Sequence, residues 1–197
     1  MRGEHPMRIV GGKHRGRRIE APQGQDVRPT SDRAREALFN ILIHGHLSAD
    51  GTSPLPGARV LDAFAGSGAL GLEALSRGAG HALFIESDAK ACATIRANAK
   101  ALGETANATV IPGDATKAPP CPGAPVSVIF LDPPYGRDLL EPALAALAAR
   151  GWIANGAICV VELAINDGVT LPPAFTLLDD RNYGKARLLI LKHSQVQ

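Results

Sequence analysis

The sequence predicts an α/β domain built on a mostly parallel seven-stranded sheet, with helices on both faces, an antiparallel closing strand and a small basic N-terminal extension. Three observations predict it. From Ala58 onward, segments of strand and helix character alternate strictly, the pattern that generates parallel sheets covered on two sides. Val126-Ser127-Val128-Ile129-Phe130-Leu131 is an apolar run of strand length, as a strand buried on both faces requires. A turn of the form Gly66-x-Gly68-x-x-Gly71 lies between the first strand and the first helix of this region.

Taken in order, residues 1–47 read as a basic extension with one helix, 48–57 as a linker, 58–192 as the main domain and 193–197 as a tail. Met1 to Pro6 reads as dispensable, and Met7 is a second candidate start. Arg8-Ile9-Val10-Gly11-Gly12-Lys13-His14-Arg15-Gly16-Arg17-Arg18-Ile19 mixes apolar, glycine and basic residues; its apolar pairs suit a short hairpin. Next comes a helix capped at Thr30 or Ser31, with Ala34, Leu38, Ile41 and Leu42 on one face and Arg33 and Glu36 on the other. His44 and His46 follow without an acid or thiol at matching spacing, so no metal site is expected. Gly, Pro and Ser dominate 48–57 and mark the linker.

Within the main domain the strands are expected at Arg59–Phe64, His81–Ile85 ending in Glu86, Ala108–Ile111, Val126–Leu131 and Ala157–Leu163. Phe175–Asp180 and Arg187–Leu191 form a closing pair across Asn182-Tyr183-Gly184. Helices are expected at Ala69–Arg77, Asp88 to about Leu102, and Leu139–Ala149, the first two stopped by Gly78 and Gly103.

At 197 residues the chain suits one domain with an appendage. It has no apolar run of about 18 residues and no signal-like start, so a soluble cytoplasmic protein is expected, without a membrane partner. Cys92, Cys121 and Cys159 are odd in number and far apart, which gives neither a disulfide framework nor a zinc spacing. The net charge of +2 conceals an asymmetry, because residues 1–36 hold nine Lys/Arg against five acids. A basic arm on a near-neutral body fits a phosphate-rich partner.

Two motifs carry chemistry. The glycine turn, with Glu86 twenty residues beyond Gly66, satisfies a dinucleotide fingerprint, so a nicotinamide oxidoreductase is one reading. Asp62 opposes it, since a carboxylate near a pyrophosphate is repulsive but would welcome an α-ammonium. S-adenosylmethionine fits better: an ammonium near Asp62, ribose hydroxyls for Glu86 and an adenine amine for Asp114. The second motif, Asp132-Pro133-Pro134-Tyr135, ends the apolar strand with an acid, two residues lacking N–H groups and an aromatic ring. Its carboxylate and carbonyls can grip an exocyclic amine while Tyr135 covers the base.

In this order, Asp62-x-Phe64-x-Gly66-x-Gly68, Glu86, Asp114-Ala115 and Asp132-Pro133-Pro134-Tyr135 resemble the Rossmann-like class I methyltransferases, in their amino-methylating branch. Arg8-Ile9-Val10-Gly11-Gly12-Lys13-x-Arg15-Gly16 and Arg28-Pro29-Thr30-x-Asp32-Arg33-x-Arg35-Glu36-x-Leu38-Phe39-Asn40 narrow the resemblance to the RsmD family, bacterial enzymes that methylate the N2 amine of one guanine in small-subunit ribosomal RNA. The resemblance covers residues 8–192. It implies catalysis by Asp132, Pro133, Pro134 and Tyr135, and cofactor binding by Asp62, Phe64, Gly66, Gly68, Glu86, Asp114 and Ala115. Arg8, Lys13, Arg15, Arg17, Arg18, Arg33 and Arg35 would hold RNA, whereas Arg28 and Thr30 could close over either cofactor or RNA. A monomer acting on an assembled or assembling 30S particle is the expectation. A DNA adenine or cytosine amino-methyltransferase shares the catalytic motif but needs a target-reading domain for which the chain has little room. A non-catalytic RNA-binding module is the remaining alternative.

Overall fold

The computed structural model describes residues 7–22, 32–45, 47, 51–134, 136 and 138–194. The seven strands are β1 (Arg59–Ala63), β2 (His81–Glu86), β3 (Ala108–Pro112), β4 (Val126–Leu131), β5 (Ile153–Ala164), β6 (Phe175–Tyr183) and β7 (Ala186–His193). They form one sheet in the order β3-β2-β1-β4-β5-β7-β6. β7 runs antiparallel to both of its neighbours, and the other strands are parallel. The chain winds outward from β1 to the β3 edge and then returns to place β4 against the other side of β1. That reversal opens a crevice at the tips of β1 and β4, where ligands of open α/β sheets bind.

Helices α1 (Asp32–His44), α2 (Ala69–Ser76), α3 (Ala89–Leu102) and α4 (Leu140–Ala149) cover the sheet. On one face Val60, Phe84, Val128, Phe130 and Val160 pack with Leu38, Phe39, Leu72 and Ile95 from α1, α2 and α3. On the other, Leu61, Ile129 and Val161 meet Leu144 and Leu147 of α4 and the buried Trp152. Cys92 and Cys159 are buried small hydrophobes, as expected, and Cys121 lies in a loop. Among the described residues no helix is long and apolar enough to cross a membrane.

Local chemistry sets the boundaries. Asp88 caps α3 by accepting from the N–H of Ala91 at 2.8 Å, and left-handed Gly103 ends it. Gly71 lets α2 approach β2 closely, since a Cβ there would stand 2.4 Å from the ring of Phe84. β5 begins at Ile153 rather than Ala157, because an irregular register between Val126 and Val128 lets both flanking stretches pair with β4. The expected tail begins one residue late, since His193 ends β7 with its ring against Phe175.

The N-terminal segment forms the expected hairpin, with Arg8 bridging Arg18 and the Ile19 N–H donating to the Met7 carbonyl at 3.0 Å. It is not a core of its own. Ile9, Ile19, Leu38 and Phe39 share one cluster with Leu55, in the expected linker, and with the sheet. Glu73 of α2, fully buried, fastens it: its two carboxylate oxygens accept the N–H groups of Val10 and Gly11, both at 2.8 Å. The same carboxylate pairs with Arg77 at 2.7 Å and lies 3.9 Å from Arg35. Glu73→Ala would leave the enclosed Arg77 guanidinium without its acid, Arg35 with Asp32 alone, and the N–H groups of Val10 and Gly11 without their acceptor. It is expected to cost about 3–5 kcal/mol in chemical unfolding, and a loss below about 1 kcal/mol would contradict this role.

Candidate active site at the strand tips

β1 delivers the chain to Phe64, a non-glycine residue at φ +63°, before the glycine turn begins. Such a conformation is costly and concentrates where a site over-determines the backbone. Gly66 and Gly68 follow at φ +54° and +77°, and a Cβ built on Gly66 would meet no atom within 4 Å. The turn therefore has the backbone only glycine adopts easily; at Gly66 it looks onto open space, as a cradle for a ligand must, while at Gly68 a Cβ would stand 3.1 Å from Ile95.

Glu86, at the tip of β2, holds this turn. Its Oε2 accepts from the Gly66 N–H and its Oε1 from the Asp88 N–H, both at 2.8 Å. Oε1 also accepts the Ser87 hydroxyl at 3.5 Å, whereas Oε2 retains a lone pair for a further donor such as a ribose hydroxyl. Beyond β3, exposed Asp114 caps a short turn by accepting from the N–H and hydroxyl of Thr116 at 2.9 and 2.8 Å through Oδ1. These bonds hold its carboxyl below the usual range, so it stands ionised with Oδ2 available. Ala115 is buried beside it.

Asp62 is placed differently from expectation. It is 1% exposed, beneath the turn, and its Oδ2 accepts the Gly71 N–H at 2.8 Å. Burial pushes its pKa up to about 8. This corrects the expectation of an ionised partner for an ammonium: the carboxyl caps the first turn of α2 and shapes the cradle from below.

Asp132 lies just past the end of β4. The register pairing Asp62 with Phe130 and Leu131 with Val161 puts Asp62, Asp132 and Glu162 on the same face of three adjacent strands. Asp132 keeps part of its surface open but is densely surrounded by protein, and its carboxyl has no hydrogen-bond partner among the described residues. Desolvation first, then the charges of Glu162 and Asp62, raise its pKa well above the carboxylate range. Pro133 is buried and Pro134 exposed. Both line a cleft of about 440 Å³ on the β5 side of the motif, closed by Leu139, Leu163 and Val169.

Tyr135, Arg28 and Thr30 lie outside the described residues. Glu162 was missed by the sequence reading, although an acid within the apolar run Ile158–Leu163 was a signal, because only register shows that it neighbours Asp132. Glu73 was missed too; nothing in the order of residues reveals its partners in the arm. Among the basic residues, Arg35 is 1% exposed and donates to the Arg8 carbonyl and to Asp32, which corrects its assignment to RNA. Arg8 pairs with Asp32, Lys13 with Glu104, and Arg17 donates to the Ala101 carbonyl. Arg15, Arg18 and Arg33 are exposed, without such partners among the described residues.

Comparison with known proteins places this geometry. The family described as conserved hypothetical protein 95 matches residues 7–192. Ribosomal RNA small subunit methyltransferase D of Escherichia coli K12 is 40% identical over 172 residues, which cover 87% of this chain and 82% of that protein. The chain belongs to the RsmD family. Among solved structures of RsmD-like chains, the Escherichia coli protein yhhF superposes with a TM-score of 0.79 at 36% identity, covering 96% of this chain and 99% of the other. Haemophilus influenzae HI0767 gives 0.77 at 29% identity, covering 97% and 100%. The fold is that of the class I methyltransferases, and the family match takes in the residues of the hairpin as well as those of the sheet, since it begins at residue 7.

The buried acid makes stability depend on pH. Asp62 keeps its proton when folded up to about pH 8, but loses it near 3.8 when unfolded. Between those values the native state binds the extra proton, so stability is full below about pH 4 and is lost as pH rises toward 8, at about 1.4 kcal/mol per pH unit. Asp62→Asn is expected to reduce this decline in urea unfolding between pH 5 and 8; an unchanged slope would show that Asp62 does not hold the proton.

Proposed function

We propose that the protein transfers a methyl group from S-adenosylmethionine to the exocyclic N2 amine of a guanine in small-subunit ribosomal RNA. The observation that carries this reading is the Asp132 carboxyl: an acceptor without a hydrogen-bond partner among the described residues, at the tip of β4, beside the glycine cradle that follows β1 and next in the chain to Pro133, which lines a cleft of about 440 Å³. Relatives named as small-subunit ribosomal RNA methyltransferases support the substrate class. The N2 position is our own reading, drawn from the resemblance of the motifs and from the match between guanine's paired N1–H and N2–H donors and an acceptor-only carboxylate.

S-adenosylmethionine supplies an electrophilic methyl group when bound. Glu86 would hold its ribose, Asp114 its adenine amine, and the backbone at Gly66 and Gly68 its amino-acid end. Phe64, at the mouth of the turn, and Ala115, beside Asp114, would border it. Arg28 and Thr30 would close over either the cofactor or the RNA.

The target base, turned out of its stack, would enter the cleft past Pro134, with Tyr135 over its ring. Asp132 and the Pro133 carbonyl then accept the two amine hydrogens. This turns the nitrogen lone pair toward the cradle, and positioning of this kind is worth roughly 7–11 kcal/mol. Asp132 takes up the proton released. Its raised pKa makes it a stronger base than an ordinary carboxylate, as proton acceptance near neutral pH requires. The enzyme would act in the cytoplasm on the small subunit as a monomer, with Arg15, Arg18 and Arg33 against phosphates.

Tritiated methyl transfer to small ribosomal subunits, with duplex DNA as the competing substrate, tests the reading. Mass spectrometry of the product should find N2-methylguanine. Asp132→Ala is expected to lower turnover at least about 100-fold while S-adenosylmethionine binding survives. Near-normal turnover would remove Asp132 from the reaction, and methylation of DNA alone would replace the substrate.

A further inference from the structure

The arm lies along α3. The Arg17 guanidinium donates to the Ala101 carbonyl, the Glu20 N–H donates to Asn98 at 2.8 Å, and Asn98 returns a bond to the Glu20 carbonyl at 2.9 Å. α3 itself, Ala89–Leu102, contains Lys90, Arg96 and Lys100 and no acidic residue. All three bases are exposed, and the exposed positions between them, Ala93 and Ala97, are alanines. Among the described residues none of the three forms an ion pair.

This pattern is not what helix stability alone would select. A solvated helix face usually gains from Glu–Lys pairs one turn apart, and α3 has none. Lys90 stands in the first turn, where the positive end of the helix dipole disfavours a cation. Glu104, just past the end of α3, is already taken by Lys13 and His14 at 2.6 Å and is held down to about 2. Lys90, Arg96 and Lys100 are therefore left without an ion-pair partner among the described residues, over methyl groups low enough for a polymer backbone to come close.

We propose that the exposed face of α3 and the adjoining arm form one continuous surface for the sugar-phosphate backbone of the substrate RNA. Its bases run from Lys90, next to the cofactor end of the sheet, through Arg96 and Lys100 to Arg17 and Arg18. From Lys90 to Lys100 the helix spans about 15 Å. The surface thus leads from the strand tips down the flank of the domain, and orients the RNA so that its target base reaches the cleft. Charge selects the occupant: an acid-free row of guanidinium and ammonium groups fits a polyanion. This inference rests on the reading that the substrate is RNA.

The triple variant K90A/R96A/K100A tests it, since alanine at exposed helix positions favours the fold. Binding to small ribosomal subunits is measured across salt concentrations, and S-adenosylmethionine affinity serves as the control. Each lost phosphate contact removes about 0.7–0.9 from the slope of log K against log salt, so the variant slope should be shallower by about 2–3. The charge-keeping variant K90R/R96K/K100R should retain the wild-type slope. An unchanged slope in the alanine variant, or a lost slope in the charge-keeping one, overturns the proposed surface. If the wild type itself neither binds nor methylates small-subunit RNA, the enzymatic reading fails and the surface falls with it.

Discussion

In the proposed reaction, one acid at the end of one strand sets the chemistry. Asp132 sits where β4 stops, flanked on the same sheet face by Asp62 and Glu162, and all three lie in poorly solvated surroundings. Burial and the neighbouring acids disfavour charge on Asp62 and on Asp132. Asp62 escapes by holding its proton and bonding to the first turn of α2. Asp132 has no such bond among the described residues, and in the proposed reaction its oxygen takes a donor that arrives from outside. The site is thus built on an unfavourable placement that the surrounding packing sustains.

The glycine turn and its anchor solve the opposite problem. Backbone N–H groups near a ligand must be held without being covered. Glu86 does this by taking the Gly66 N–H on one oxygen and that of Asp88 on the other, which joins the turn to the start of α3. Gly71 brings α2 against Phe84, and Asp62 fixes the same turn of helix from beneath. The cradle is rigid because strands β1 and β2 both enter it.

The basic hairpin belongs to the same body. Glu73 holds its backbone, Ile9 and Ile19 enter the core, and Gly12 lies so near the Ser76 carbonyl that a Cβ would stand 1.9 Å from it. Several of its charges serve this attachment, notably Lys13 and Arg17. Under the proposed function, a surface that must hold RNA phosphates in a fixed register is better served by a riveted hairpin than by a free tail, because the ordering entropy is lost on folding rather than on binding.

What the sequence by itself determined is whatever repeats along the chain or sits in a contiguous motif: the alternation of strands and helices, the glycine turn, the caps at Asp88 and Gly103, the hairpin, and Asp132 with its prolines after a buried strand. These are local, set by backbone preferences and by periodicities of about two and 3.6 residues. Only the tertiary structure decided which charges were spent on holding the molecule together. Arg35 looked like its neighbour Arg33, yet one is buried against Asp32 and the other is exposed. Glu162 and Glu73 acquired their roles from strand register and from a hairpin more than sixty residues away. The energy of a charge depends on what surrounds it in space, and neighbours in space are not written in the order of the chain.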